Sequence, residues 1–68
     1  MTQRKAIIVD FAQIGSRIRK LRGAVLQEDL AAYLGVTQGH LSKLESGKIA
    51  PSLKMLVLVA KRFHTSID

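Results

Sequence analysis

The sequence lacks cysteine, which excludes both disulfide bridges and thiolate metal sites and fits a reducing compartment. It also lacks a long hydrophobic run, since the apolar stretch at residues 6–9 is far shorter than the apolar region of a signal peptide or a membrane span. Its five glycines have neither the spacing of a dinucleotide-binding loop nor that of a phosphate-binding loop. We therefore expect a soluble, cytoplasmic protein with no membrane association and no cofactor.

Acidic residues are scarce, with five Asp and Glu against eleven Lys and Arg, and the net charge is +6 over 68 residues. Such an excess suggests a polyanionic partner, although a solvated basic surface explains the charge alone equally well. A chain of this length forms one small domain that buries about 60% of the surface of its unfolded form. It leaves no room for an enclosed active site together with a second domain.

Patterns typical of catalysis and metal binding are missing too. The two histidines, His40 and His64, lie on different predicted helices, and neither belongs to an HxxxH or HExxH motif or has an acidic cluster beside it. Ser42 and Lys43 are adjacent on a predicted helix and point about 100° apart, so the lysine is not placed as a base for the serine. We expect neither an enzyme nor a metal site.

The most informative stretch, residues 27–46, contains two short helical patterns separated by a fixed break. Gly35 can take the left-handed conformation that ends the first helix, and Thr37 is a good N-cap for the second. Two helices joined by so short a turn cross steeply and share one core. The apolar residues at helical spacing that we expect in this core are Leu30, Ala31, Leu34, Val36, Leu41 and Leu44.

A first helix is predicted from Phe11 to about Arg22, because Asp10 and Gln13 approximate a capping box. Its apolar face consists of Phe11, Ile14, Ile18 and Leu21. In front of it, residues 1–10 form an arm whose apolar part has the composition of a strand. This arm could pair with its own copy, lie over the helical core, be a disordered arm whose Arg4 and Lys5 contact phosphate, or be only a partly ordered tail.

A last helix is predicted from about Leu53 to Phe63, with Ser52 as its N-cap after a loop that contains Pro51. At about 100° per residue, Met55 and Leu58 fall on the side away from the core. Exposed together, these two side chains are either a minor feature of the surface or half of a self-complementary dimer patch. The predicted core-facing residues are Leu53, Leu56, Val59, Ala60 and Phe63.

Residues 14–68 resemble the helix-turn-helix domains of the Cro and phage-repressor type. The resemblance rests on QxxLAxxLGVxQxxLSxLExGK from Gln27, on PSL from Pro51, and on IGSRIRKLR at residues 14–22. It implies an all-α, compact, lambda-repressor-like domain of four to five helices over residues 11–68, with a central helix-turn-helix. The final residues, with Ser66 as a cap, resemble the start of the family's fifth helix.

The resemblance also implies an ion pair between Arg22 and Glu45, which would join the first helix to the end of the third. Relatives commonly have two more residues before Gln27 and a Ser or Thr just ahead of it, where this chain has Leu26. Leu26 cannot cap the second helix, at a cost of about 1 kcal/mol relative to Ser or Thr. The shortened connection leaves the alignment of the ion pair as an expectation for the structure to test.

The partner implied by the resemblance is double-stranded DNA, with the helix at residues 37–46 reading the major groove. Gln38 has the donor and acceptor that suit adenine, Lys43 can donate to guanine, and Gly39 reads nothing. His40 contacts a base or a phosphate, or is an ordinary solvated histidine. The residues expected to contact phosphate are Gln27, Thr37, Ser42, Ser46, Lys48 and Arg17.

The function implied is transcriptional regulation, more often by repression than by activation. One domain offers few base contacts, so we expect a homodimer on a pseudo-palindromic operator. The dimer would form through Ile7, Ile8 and Val9 or through Met55 and Leu58. Two alternatives remain open: an antitoxin that represses its own operon, and an adaptor of the same fold that binds a protein through the Met55 and Leu58 side.

Overall fold

The structure is a computed structural model, and it describes residues 10–64. These residues form four helices and no strand, which confirms the all-α prediction. The predicted arm, with Ile7, Ile8 and Val9, and the predicted start of a fifth helix at Ser66 lie outside the described residues. The helices are α1 (Phe11–Arg22), α2 (Gln27–Leu34), α3 (Gln38–Glu45) and α4 (Leu53–Phe63).

Side-chain caps fix where three of the four helices begin. The Asp10 carboxylate accepts from the backbone N–H groups of Ala12 and Gln13 at 3.0 and 3.2 Å. Thr37 Oγ1 accepts from His40 N at 3.0 Å at the start of α3, and Ser52 caps α4 in the same way. Helix α2 has no side-chain cap, as Leu26 predicts. Because the caps coincide with the predicted ones, α1 and α4 have the bounds expected from the sequence.

The core lies between α3 and the other helices. Helix α3 packs against α1 and α2, and α4 packs against the same two helices. The predicted core of the helix pair is confirmed: five of its six residues are buried, and Val36 is half-buried against them. The buried apolar residues are Ile18, Leu30, Ala31, Leu34, Leu41, Leu44, Met55 and Val59.

The predicted core side of α4 is confirmed for Val59, which is buried, and for Leu56 and Phe63, which pack against the core. The prediction was wrong for Leu53, Met55 and Leu58. Met55 is only 9% exposed and belongs to the core, Leu58 is half-buried, and Leu53 is 77% exposed. Residues 55–60 are all apolar, so periodicity alone does not define the buried side. The patch of Met55 and Leu58 predicted for a dimer or an adaptor therefore does not exist on this surface.

Phe11 also departs from the prediction, because it is 40% exposed rather than packed in the core. It is the first residue of α1, at the end of the helix where fewer neighbours are available to cover it. The rest of the predicted α1 face is confirmed, since Ile18 is buried and Ile14 and Leu21 are half-buried against the core.

Helix α1 and the end of α3 approach each other closely. A Cβ added to Gly15 would collide with the backbone carbonyl groups of Leu44 and Glu45. A second contact lies one turn earlier on α1, at Ala12. A Cβ added to Gly47, in the loop after α3, would lie 2.6 Å from Ala12 Cα, and Gly47 has a φ of 80°. The two backbones therefore touch with no side chain between them. This contact sets the position of α3 relative to α1.

Candidate nucleic-acid interface

The outward side of α3 carries the residues predicted to read bases. Leu41 and Leu44 are 0% and 1% exposed, and they anchor the opposite side of the helix in the core. As a result, all four predicted residues are exposed and lie within the first six positions of the helix: Gln38, Gly39, His40 and Lys43.

The N-terminus of α3 has donors that remain available. The oxygen of Thr37 is occupied as the cap of His40 N, so the hydroxyl hydrogen is free to donate outward. The backbone N–H groups of Gln38 and Gly39 are in the first turn, where a helix has no intrahelical acceptor for them. Such amides, together with the helix dipole, favour an anion nearby.

Behind α3, the Arg22 and Glu45 ion pair predicted from the resemblance is present. Arg22 Nε donates to Glu45 Oε2 at 2.6 Å and Arg22 Nη2 donates to Oε1 at 3.1 Å, a two-bond arrangement. The shortened connection after α1 takes part in the contact, because Arg22 Nη1 donates to the carbonyl of Val25 at 2.9 Å. Gly23, with a φ of 51°, ends α1 so that this loop can turn back. The ion pair is thus compatible with the missing two residues.

Two hydrogen bonds connect the ion pair, through Gln27, to Gln38 on the outward side of α3. Gln27 Nε2 donates to Glu45 Oε1 at 2.9 Å, and Gln38 Nε2 donates to Gln27 Oε1 at 3.2 Å. A carboxylate can only accept, so Glu45 determines which end of the Gln27 amide faces it. Gln27 then presents its oxygen to Gln38 and orients the Gln38 amide in turn. The Gln38 oxygen and one of its N–H bonds remain for an external partner.

The residues predicted to contact phosphate lie in four places, one of which is the N-terminus of α3, where Thr37 is the cap. Gln27, Ser42 and Ser46 line one groove between α1 and α3, and Lys48 is exposed just after α3. The backbone N–H of Lys48 donates to the carbonyl of Lys43 at 2.9 Å, which holds the loop against the helix. Arg17, which was also predicted to contact phosphate, lines a separate groove on α1. The side chains of that second groove are Gln13, Ser16, Arg17 and Lys20.

Arg19 was not among the residues predicted to contact phosphate. It is exposed and lines the groove between α1 and α3 together with Ser42 and Ser46. Arg19 is four residues after Gly15 and three before Arg22, and these spacings share one side of a helix, but only the structure shows that this side contacts α3. Arg17, which was predicted instead, has no such relation to either residue.

Two further features of the described residues concern other kinds of site. Among residues 10–64, no three side chains of His, Cys, Asp or Glu lie close enough together to hold a metal ion. None of the four helices described is long and apolar enough to cross a membrane.

Comparison with known proteins identifies a family and a relative. The family model for helix-turn-helix domains matches residues 17–68. The chain is similar to a protein of Methanocaldococcus jannaschii that is named an uncharacterised HTH-type transcriptional regulator, with 45% identity over 42 residues. The match covers 62% of this chain and 64% of the relative, so the chain spans less than two thirds of that protein's length. No solved structure gives a significant match.

Proposed function

This chain belongs to the helix-turn-helix family of the Cro and CI type, and we propose that it regulates transcription by reading the major groove of DNA with α3. The observation that carries the proposal is the outward side of α3, where Gln38 and Lys43 stand exposed over the buried Leu41 and Leu44. A helix fits the major groove, and residues near its N-terminus reach base edges there. The name of the archaeal relative supports the same class of function.

In this proposal, two side chains specify the sequence. Gln38 accepts from adenine N6 and donates to N7, and its amide is oriented for this by Gln27. Lys43 donates to guanine O6 and N7. Gly39 contributes no side-chain contact, and His40 contacts the neighbouring base or phosphate. The number of specified base pairs in one half-site is therefore small.

Contacts to phosphate fix the register on the duplex. The hydroxyl of Thr37 and the first-turn amides of α3 face one phosphate, and Lys48 faces another. Ser42, Ser46 and Gln27 border the groove between α1 and α3. Arg17 was predicted together with these residues, but it lines a different groove of α1, so the proposed contacts do not include it.

The proposed functional form is a homodimer that represses by occluding a pseudo-palindromic operator. So few base contacts in one domain give useful specificity only when two copies bind half-sites about one helical turn apart. Sedimentation with and without duplex tests this part. A protein that bound half-sites only singly, with no dependence on their spacing, would contradict it.

The central experiment compares three exposed lysines after sequence selection from random duplexes. We expect Lys43→Ala to relax the choice at one base pair by about 1–3 kcal/mol, because Lys43 is assigned to a base edge. Lys48→Ala should weaken every sequence similarly and lower the salt slope of binding by about one, as the loss of a phosphate contact does. Lys61→Ala on α4 is the matched control and should change neither.

Two results would count against the proposal in different ways. If the protein fails to bind any duplex at low ionic strength, the DNA-binding function is wrong. If Lys43→Ala and Lys48→Ala both weaken all sequences equally, DNA binding stands but Lys43 does not read a base.

A further inference from the structure

We propose that the groove between α1 and α3 is a binding site for one backbone phosphodiester of DNA, and that Arg19 is the cationic residue that binds the phosphate. The inference rests on the proposed function and adds a contact that the sequence analysis gave to Arg17. The residues that line the groove are Arg19, Arg22, Gln27, Ser42, Glu45 and Ser46.

The direction of Arg19 follows from the packing of α1. Gly15 marks the side of α1 that touches α3, because its Cα lies against the backbone of Leu44 and Glu45. At about 100° per residue, Arg19 lies roughly 40° from Gly15 around the helix, and Arg17 lies roughly 200° from it. The two arginines therefore flank α1 on opposite sides, and only Arg19 faces the groove beside α3.

The charges of the groove leave Arg19 uncompensated. Glu45 is the only carboxylate that lines it, and this side chain is bound by Arg22 through two hydrogen bonds and by Gln27 through a third. Arg22 is neutralised by that contact, with 17% of its side chain exposed. No ion pair of Arg19 occurs within residues 10–64, so the groove has a net charge of one positive unit. A planar guanidinium in that position suits the two free oxygens of a phosphodiester.

The α3 wall of the groove supplies hydroxyl groups. Ser42 is in α3 and Ser46, four residues later, is its C-cap, and both line the groove and are exposed. Ser46 Oγ donates to the carbonyl of Lys43 at 3.2 Å, whereas Ser42 makes no side-chain hydrogen bond to any other residue of 10–64. The Ser42 hydroxyl is thus able to rotate and donate to a phosphate oxygen opposite Arg19.

The groove is continuous with the side of α3 that is proposed to read bases. Gln27 borders the groove and also accepts a hydrogen bond from Gln38 Nε2. The Gln27 side chain alone therefore lies between the proposed phosphate-binding groove and a base-reading residue. A duplex placed with its major groove on Gln38 and Lys43 therefore brings a strand of its backbone to this edge of α3. This continuity favours a phosphate of the bound DNA over an unrelated anion.

The test uses Arg17→Ala as the matched control for Arg19→Ala, since both remove one exposed arginine from the same helix. Binding of the selected duplex and of random duplex is measured over a series of salt concentrations. Arg19→Ala should weaken both by about tenfold or more and reduce the slope of log affinity against log salt by about 0.9. Arg17→Ala should leave the slope nearly unchanged. Arg19→Lys keeps the positive charge but lacks the paired N–H donors of a guanidinium. It should therefore have the salt slope of the unmodified protein and an affinity between those of the unmodified protein and Arg19→Ala.

The possible outcomes separate this inference from the proposed function. Equal effects of the two alanine variants, or a larger effect of Arg17→Ala, would overturn the assignment of Arg19 while Lys43→Ala still changed base choice. Failure of the unmodified protein to bind duplex would remove both proposals. Thermal melting confirms that each variant is folded, and a folded Arg19→Ala variant with unchanged DNA binding would overturn the inference.

Inorganic phosphate is the second probe, because a free anion shares the chemistry of the phosphodiester. The NMR signal of the Arg19 guanidinium should respond to stoichiometric duplex and to inorganic phosphate only at far higher concentration. Saturation by dilute inorganic phosphate, with no response to duplex, would assign the groove to a free anion and overturn the proposal.

Discussion

Helix α3 has an inner side, which faces α1 and the core, and an outer side, which faces solvent, and the two sides differ in whether an added methyl group fits. On the inner side, the backbone of Leu44 and Glu45 touches Gly15 so closely that a methyl group has no room. On the outer side, a Cβ added to Gly39 would meet no atom within 4 Å. The inner side therefore fixes where the helix lies, while the outer side can carry different residues without altering the fold. A small domain can in this way keep one geometry and change the sequence that it reads.

The largest effect should come from Gly15→Ala, which tests the inner side directly. The new methyl group meets two backbone carbonyls that cannot move without shifting α3, so we expect a loss of about 3 kcal/mol in the free energy of unfolding. Urea unfolding followed by circular dichroism measures it. Ser16→Ala, at the next and exposed position of α1, is the control and should stay within about 0.5 kcal/mol. A fully stable Gly15→Ala protein would mean that α1 and α3 do not touch at this point.

A smaller loss is expected for Glu45→Ala, the charged residue of the inner side. The substitution removes the acceptor of Arg22 and Gln27, while Arg22 keeps some access to water and its bond to Val25. We expect the free energy of unfolding to fall by about 2 kcal/mol, below the range for a fully buried pair. Ser42→Ala, on the outer side, should change it by less than about 0.5 kcal/mol.

A double-mutant cycle shows whether that loss belongs to the pair. Once Glu45 is gone, Arg22→Ala should add little, because the two side chains share their main bonds. Glu45→Ala should also weaken the choice of the base pair assigned to Gln38, since Gln27 loses its fixed orientation. If the stability losses of Arg22→Ala and Glu45→Ala were fully additive, and Glu45→Ala left the base choice assigned to Gln38 unchanged, the ion pair would not orient the side chains on the outer side of α3.

The same difference explains how far the sequence alone could go. The core of α2 and α3 and three of the helix caps were predictable, because apolar spacing, Thr37, Ser52 and Asp10 each leave a local signal. Gly15 was not recognised as a contact point. A missing side chain leaves no pattern, and only the approach of another backbone gives it a meaning.

Two further positions required the structure because they depend on how whole helices are rotated. The run of apolar residues in α4 permits several rotations, and packing against α1 and α2 buries Met55 while Leu53 is exposed. In α1, Arg17 and Arg19 are equivalent in composition, and only the contact with α3 distinguishes them. The base-reading residues Gln38 and Lys43 were placed outward correctly, but their roles stay predictions.

The smallest effect, and the one of opposite sign, is expected for Gly39→Ala on the outer side. Gly39 is in the first turn of α3 with no positive φ, so alanine fits its backbone and reduces the entropy of the unfolded chain. The free energy of unfolding should rise by about 0.5 kcal/mol in the same urea measurement. The added methyl group can also pack against a thymine methyl, so selected duplexes should gain a preference at one base pair. If Gly39→Ala lowered the free energy of unfolding, as Gly15→Ala is expected to do, the outer side of α3 would also be sterically constrained at this position.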